Sequence, residues 1–106
     1  MSVPAEQKVV SNSTTDYNRV LTIAERDVEA LKKAGQSYGD SWKSRGGVGA
    51  FMMLARKWDR IENQVKATGY DVFTAYATDP TPEGILDDIQ DLRRYLLLVE
   101  EEITRG

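Results

Sequence analysis

Three long segments of the chain repeat apolar residues every three or four positions, which is the spacing of one face of an α-helix. The first segment starts near Thr14–Asp16 and stops at Gly35, the second covers about 48–68, and the third about 83–104. A shorter apolar segment at 70–77 predicts one more helical turn. No segment alternates polar and apolar residues for long enough to predict a strand. The pattern therefore predicts an all-α fold, an antiparallel bundle of three long helices and a short one.

The segments between these helices carry residues that interrupt helical structure. Residues 35–47 contain four glycines and form a predicted loop, and Pro80 and Pro82 bar a helix across 79–84. Residues 1–13 lack periodicity and are expected to form a flexible arm, so that 14–106 is a single helical domain. The large apolar residues of the second helix, Phe51–Met53 and Trp58, are expected in the core.

The composition excludes several classes of chemistry. The chain has no Cys and no His, which excludes disulfides, thiol nucleophiles, zinc fingers and histidine-based acid–base catalysis. Any metal would therefore rest on oxygen ligands, which favours Mg²⁺ or Mn²⁺. A net charge of −3 makes nucleic acid an unlikely partner. The absence of a long apolar run and of an apolar signal core predicts a cytoplasmic protein without a membrane span.

Carboxylates fall inside the apolar faces of all three long helices. At about 100° per residue, Asp27, Glu62 and Asp88 project into these faces, and Asp59 and Asp91 lie at their edges. An ionised carboxylate in an apolar face is costly unless a cation pairs with it. That cation is either a divalent metal or a basic side chain. The basic candidates are Arg56, Lys57, Arg60, Arg93 and Arg94.

Two acidic pairs have a spacing that suits a metal site. Asp59 with Glu62, and Asp88 with Asp91, are each three residues apart, which places both carboxylates on adjacent turns of one helix face. Two such pairs on neighbouring antiparallel helices can converge on one or two ions. The alternative is that these carboxylates are solvated or form salt bridges.

The arrangement D59-x-x-E62, a spacer of 25 residues and D88-x-x-D91 resembles the MazG-like all-α nucleoside triphosphate pyrophosphohydrolases. The words YGDSW at 38–42, RKWDRIEN at 56–63 and GILDDIQDLRRYLLL at 84–98 resemble a phage and bacterial branch of this group associated with nucleotide modification.

The resemblance implies hydrolysis of a (deoxy)nucleoside triphosphate to the monophosphate and pyrophosphate, in the cytoplasm of a bacterium or of a phage-infected host cell. Mg²⁺ or Mn²⁺ would be held by Asp59, Glu62, Asp88 and Asp91, with Asp59 and Glu62 as the catalytic pair. The chain departs from the family pattern by having Asp at 59 and 88 in place of Glu, and Asp87 is an alternative ligand to Asp88.

A second set of residues is predicted to bind the substrate. Lys43 and Arg45 can meet phosphates, and Lys57 is a further candidate cation. Tyr38 and Trp42 can stack on a base, although Trp42 fits a core position equally well. The predicted substrate-binding set is Asp27, Tyr38, Trp42, Lys43, Arg45 and Lys57.

The third helix carries Leu96, Leu97 and Leu98 in succession, so it is apolar on more than one face. This predicts a homo-oligomer, a dimer or a dimer of dimers, in which a second copy completes the bundle. The alternative to an enzyme is a non-enzymatic helical interaction protein, such as a small phage protein that binds a host or phage partner. In that alternative the acids pair with arginines, and the leucines form the partner surface.

Overall fold

A computed structural model describes residues 14–105, which contain four α-helices, one 3₁₀ turn and no strand. The elements are α1 (Tyr17–Tyr38), the 3₁₀ turn (Ser41–Lys43), α2 (Gly46–Lys66), α3 (Val72–Thr78) and α4 (Ile85–Ile103). The predicted all-helical class, with three long helices and a short one, is confirmed. The predicted arm at 1–13 lies outside the described residues.

The first helix begins where the sequence predicts but ends later. Its N-cap is Asp16, whose carboxylate accepts hydrogen bonds from the backbone N–H groups of Asn18 and Arg19. The expected stop at Gly35 is wrong, because the helix continues to Tyr38 and ends at Gly39 with φ 59°. The Gly39 N–H donates to the Gly35 carbonyl at 2.9 Å. The predicted 35–47 loop is therefore reduced to a short connection that contains the 3₁₀ turn.

The apolar core lies between α2, α3 and α4. Its buried members are Ile61 and Val65 of α2, Ala75 of α3 and Ile85 of α4. Ile89 and Leu92 of α4 pack against this cluster. These three helices therefore form the packed part of the molecule.

Helix α1 extends away from this core. It lies against α4, and its one buried residue is the charged Asp27. The radius of gyration is 16.5 Å, whereas a compact domain of this size has about 12–13 Å. The chain by itself is thus elongated, and much of its apolar surface has no partner within 14–105.

The expectation that Phe51 and Trp58 lie in the core is wrong, since their exposed fractions are 64% and 56%. Met52 is also exposed, and only Met53 of that group is half-buried. The physical reason is that α1 packs on α4 and leaves the outer half of the α2 apolar face uncovered.

The connection at 79–84 is a loop, as the two prolines predict. It closes tightly at Gly84, which is buried. A Cβ at this position would stand 3.0 Å from the Asp79 carbonyl oxygen and 3.2 Å from that of Thr81. Glycine thus permits the tight loop that leads into α4. Within 14–105, no helix is both long and apolar enough to cross a membrane.

Candidate functional site

Helices α2 and α4 are joined by ion pairs along their shared face. Asp88 is fully buried and accepts from Arg60 Nε at 2.7 Å and from Gln64 Nε2 at 2.7 Å. Lys57 Nζ lies 2.9 Å from Asp91 Oδ2. The hydrogen bond to Asp88 raises the pKa of the Arg60 guanidinium. Lys57 precedes Arg60 on α2, but it pairs with the aspartate that comes later on α4. The two helices therefore run antiparallel, as the sequence predicts.

A group of three carboxylates lies at the N-terminal end of α4. Asp87, Asp88 and Asp91 each offer an oxygen, and the three atoms lie within 4.8 Å of one another. The sequence does not distinguish between Asp87 and Asp88 as a metal ligand, and both belong to this group. Three carboxylate oxygens at such separations are the donors that Mg²⁺ and Mn²⁺ prefer.

The other predicted pair of ligands, Asp59 and Glu62, does not join this group. Both line a separate, open depression on α2 of about 410 Å³, with Arg60, Asn63 and Lys66. At about 100° per residue, they project to the side of α2 opposite the residues that meet α4. In residues 14–105 the four predicted ligands therefore do not converge within one chain.

Asp27, one of the predicted substrate-binding residues, is the buried residue of α1. It is 1% exposed. Its carboxylate accepts from Arg93 through both Nε and Nη2, and from Arg94 Nε at 2.8 Å. The hydrogen bond from Arg93 is the main cause that lowers the pKa of Asp27, against the opposing effect of burial. Both carboxylate oxygens of Asp27 therefore accept hydrogen bonds from arginines of α4.

A cavity of about 550 Å³ lies between α1, the 3₁₀ turn, α2 and α4. It brings together Tyr38, Trp42 and Arg45 from the predicted substrate-binding set with Asp91 from the predicted metal ligands. Cavities of this size are typical of sites for small molecules. Half of the predicted substrate-binding residues thus share one site.

Two predicted cations lie outside the lining of this cavity. Lys43 Nζ binds Glu102 at 2.6 Å and lies 5.9 Å from the centre of the Trp42 ring. The hydrogen bond from Lys43 lowers the pKa of Glu102. Lys57 is engaged by Asp91. Arg45 is therefore the one predicted phosphate contact that lines the cavity.

Two residues that line the cavity, Arg94 and Tyr95, were absent from the predicted site. The sequence signal that could have found them is their spacing. Asp91, Arg94, Tyr95 and Leu98 are related by i, i+3, i+4 and i+7, so they share one face of α4. Leu98, expected at a partner surface, faces this cavity, while Leu96 and Leu97 are exposed.

Comparison of the chain with protein-family models, with curated proteins and with solved structures gives no match.

Proposed function

We propose that the protein is a divalent-metal-dependent hydrolase that converts a (deoxy)nucleoside triphosphate to the monophosphate and pyrophosphate. The observation that carries this proposal is the shared cavity. Tyr38 and Trp42 offer aromatic faces for a base, Arg45 offers a cation for phosphates, and Asp91 links the cavity to the carboxylate group of α4. This is the combination that a nucleotide with a metal-bound phosphate chain requires.

The carboxylates of α4 fit a metal ion better than the predicted set of four. Asp87, Asp88 and Asp91 present oxygens within 4.8 Å of one another, whereas Asp59 and Glu62 lie on the far side of α2. A bound Mg²⁺ or Mn²⁺ supplies charge neutralisation and lowers the pKa of its water. The metal would compete with Arg60 and Gln64 for Asp88 and with Lys57 for Asp91, so binding requires these side chains to move.

A homo-oligomer, a dimer or a dimer of dimers, is part of the proposal. Phe51 and Trp58 on α2, and Leu96 and Leu97 on α4, are exposed apolar side chains of one elongated chain. A second copy that covers them would remove this surface from water. In such an assembly Asp59 and Glu62 could face residues of another copy, which reconciles their distance from α4 with a role in the site.

A second candidate function is a non-enzymatic helical interaction protein. The observation that favours it is that Asp27, Asp88 and Asp91 are all neutralised by Arg or Lys. Buried acids explained in this way need no metal. The exposed apolar residues would then meet a different protein, such as a host or phage partner.

The experiment that separates these functions is pyrophosphate release from the ribo- and deoxynucleoside triphosphates with Mg²⁺ or Mn²⁺. The hydrolase releases pyrophosphate from at least one substrate, and metal with nucleotide raises its melting temperature. The interaction protein shows neither effect.

Two matched variants identify the ligands. Asp91→Asn should abolish most metal binding and turnover. If Glu62→Gln also loses metal binding and turnover, the metal ligands are the predicted set of four carboxylates. If Glu62→Gln keeps full activity, the metal site is restricted to α4. Activity retained in both variants would remove Asp91 and Glu62 from the metal site.

A further inference from the structure

Arg94 combines two properties that no other cation of the cavity shares. Its Nε atom donates to Asp27 at 2.8 Å, and its side chain lines the cavity. Within residues 14–105 its two Nη nitrogens make no hydrogen bond. A guanidinium held at one nitrogen keeps its other donors in a fixed plane, which suits the oxygens of a phosphate.

The carboxylate that holds Arg94 does not cancel the positive charge around it. Asp27 carries one negative charge, whereas Arg93 and Arg94 carry two positive charges, so this cluster has a net charge of +1. The two carboxylates that line the cavity are Asp91, which is paired with Lys57, and Asp40. The wall of the cavity at Arg94 is therefore a place where an anionic group gains favourable electrostatic energy.

The neighbours of Arg94 on α4 indicate what kind of anion fits. Asp91 precedes it by one helical turn and belongs to the carboxylate group, and Tyr95 follows it in the same cavity. Tyr38 and Trp42 add further aromatic surface. A ligand that joins an aromatic ring to a chain of phosphates would use all of these groups together.

We propose that Arg94 is the contact for a phosphate group of the ligand, and that Asp27 is the residue that positions it. The identity of the ligand as a nucleotide rests on the proposed function, but the phosphate contact does not. The cluster also explains why a carboxylate is buried on α1, because its hydrogen bonds to Arg93 and Arg94 join that helix to α4. Arg45 is the second cation of this site, whereas Lys43 and Lys57 are engaged by carboxylates.

The test is isothermal titration calorimetry of the full chain with inorganic tripolyphosphate and, separately, with adenosine triphosphate, both in EDTA. Arg94→Gln and Arg94→Lys should each weaken tripolyphosphate binding at least tenfold. Lysine keeps the charge, but it cannot bind Asp27 and present a planar pair of donors at the same time. The matched control is Arg93→Gln, which removes a positive charge from the same cluster without altering the cavity lining. It should weaken binding at least threefold less than Arg94→Gln does, because Arg93 contributes its charge but no contact.

Asp27→Asn shows whether Asp27 positions Arg94 or only neutralises its charge. The two roles predict opposite changes in the affinity for tripolyphosphate. If Asp27 positions Arg94, the variant binds tripolyphosphate at least fivefold more weakly. If Asp27 only neutralises Arg94, the loss of a negative charge makes binding tighter, and the positioning role is overturned. Circular dichroism checks that each variant is folded. If Asp27→Asn does not fold, the affinity of Arg94→Lys for tripolyphosphate tests whether Arg94 contacts the phosphate.

Unchanged binding in Arg94→Gln, an equal loss in Arg93→Gln, or no binding by the unaltered chain would overturn the phosphate contact. The outcome is independent of turnover. Binding that depends on Arg94 without hydrolysis of any nucleotide would retain this inference and reject the proposed function. Hydrolysis that does not depend on Arg94 would retain the proposed function and reject the phosphate contact.

Discussion

Replacing Asp27 by Asn changes the buried residue of α1, which is bonded to two arginines of α4. In the folded protein the Asp27 carboxylate accepts three hydrogen bonds from Arg93 and Arg94. The amide of Asn keeps one acceptor oxygen and turns an NH₂ group towards a guanidinium. The substitution therefore breaks an ion pair with almost no change in side-chain volume, and its effect is electrostatic.

The expected cost follows from the burial of the groups. Breaking a buried ion pair by changing one partner costs about 3–5 kcal/mol. Asp27 is 1% exposed, but the Arg93 and Arg94 side chains are 35% and 26% exposed, so water can solvate the arginines that are released. We therefore expect a loss of about 2–3 kcal/mol in the free energy of unfolding. At about 4–8 °C per kcal/mol for a domain of this size, the melting temperature should fall by roughly 8–24 °C.

Thermal and urea unfolding followed by circular dichroism measure this loss. The matched control is Glu29→Gln, two residues away on α1, which breaks an exposed pair with Lys32. Exposed pairs contribute little, so this control should change the free energy by less than about 1 kcal/mol. Equal stability of Asp27→Asn and Glu29→Gln would refute the reasoning, because it would mean that the buried Asp27 pair contributes no more to the free energy of unfolding than an exposed pair does.

The pH dependence supplies a second check with a defined sign. The pKa of Asp27 is lower in the folded protein than in the unfolded chain. The stabilisation is therefore fully present above the unfolded pKa and is lost as the pH falls through the lowered folded value. The difference in stability between the unaltered chain and Asp27→Asn should shrink over that acidic range. Other acids with lowered pKa values, such as Asp71 and Glu102, occur in both proteins, so the difference isolates Asp27.

Three further predictions test the fold and the assembly. Gly84→Ala should lower the free energy of unfolding in urea by about 1–3 kcal/mol, because its Cβ would meet the Asp79 carbonyl oxygen at 3.0 Å; an unaltered midpoint would mean that the loop adjusts freely. Asp71→Ala should cost about 1 kcal/mol in the same assay, since the Asp71 carboxylate caps two backbone N–H groups of α3. Trp58→Ser should shift the proposed oligomer towards monomer in sedimentation velocity while helical content is kept, and an unchanged sedimentation coefficient would show that this surface does not join copies.

The helices could be predicted from the sequence because their signals are local. Apolar periodicity, the acidic N-cap at Asp16 and the prolines at 80 and 82 act within a few residues of where they stand. The end of α1 was misplaced because two glycines compete for it. Gly35 can remain helical, and only Gly39 takes the positive φ that ends the helix. That choice depends on how the following 3₁₀ turn packs, which is not a local property.

The site could be predicted only in part, because it depends on which side of each helix faces which neighbour. The projection correctly singled out Asp27 and Asp88 as carboxylates in apolar faces, and both are buried. It could not tell whether a metal or an arginine neutralises them, since that requires the position of the facing helix. The apolar face of α2 is also wider than its contact with α4. Glu62 and Trp58 share its outer half, and for this reason neither reaches the interior of the chain.

The polar attachment of α1 has a consequence for the order of folding. In the described residues, the five buried apolar side chains all lie between Ala50 and Ile85, so the hydrophobic nucleus can form without α1. Its contacts are closer in sequence than the pair Asp27 and Arg93, which are 66 residues apart. Helix α1 then docks when Asp27 reaches the arginines of α4, and it can undock while the nucleus stays folded. Its amide protons should accordingly exchange through local opening, faster than those of α2. Because α1 forms one wall of the 550 Å³ cavity, a molecule bound there holds the helix in place, and the exchange rate of α1 becomes a direct measure of occupancy.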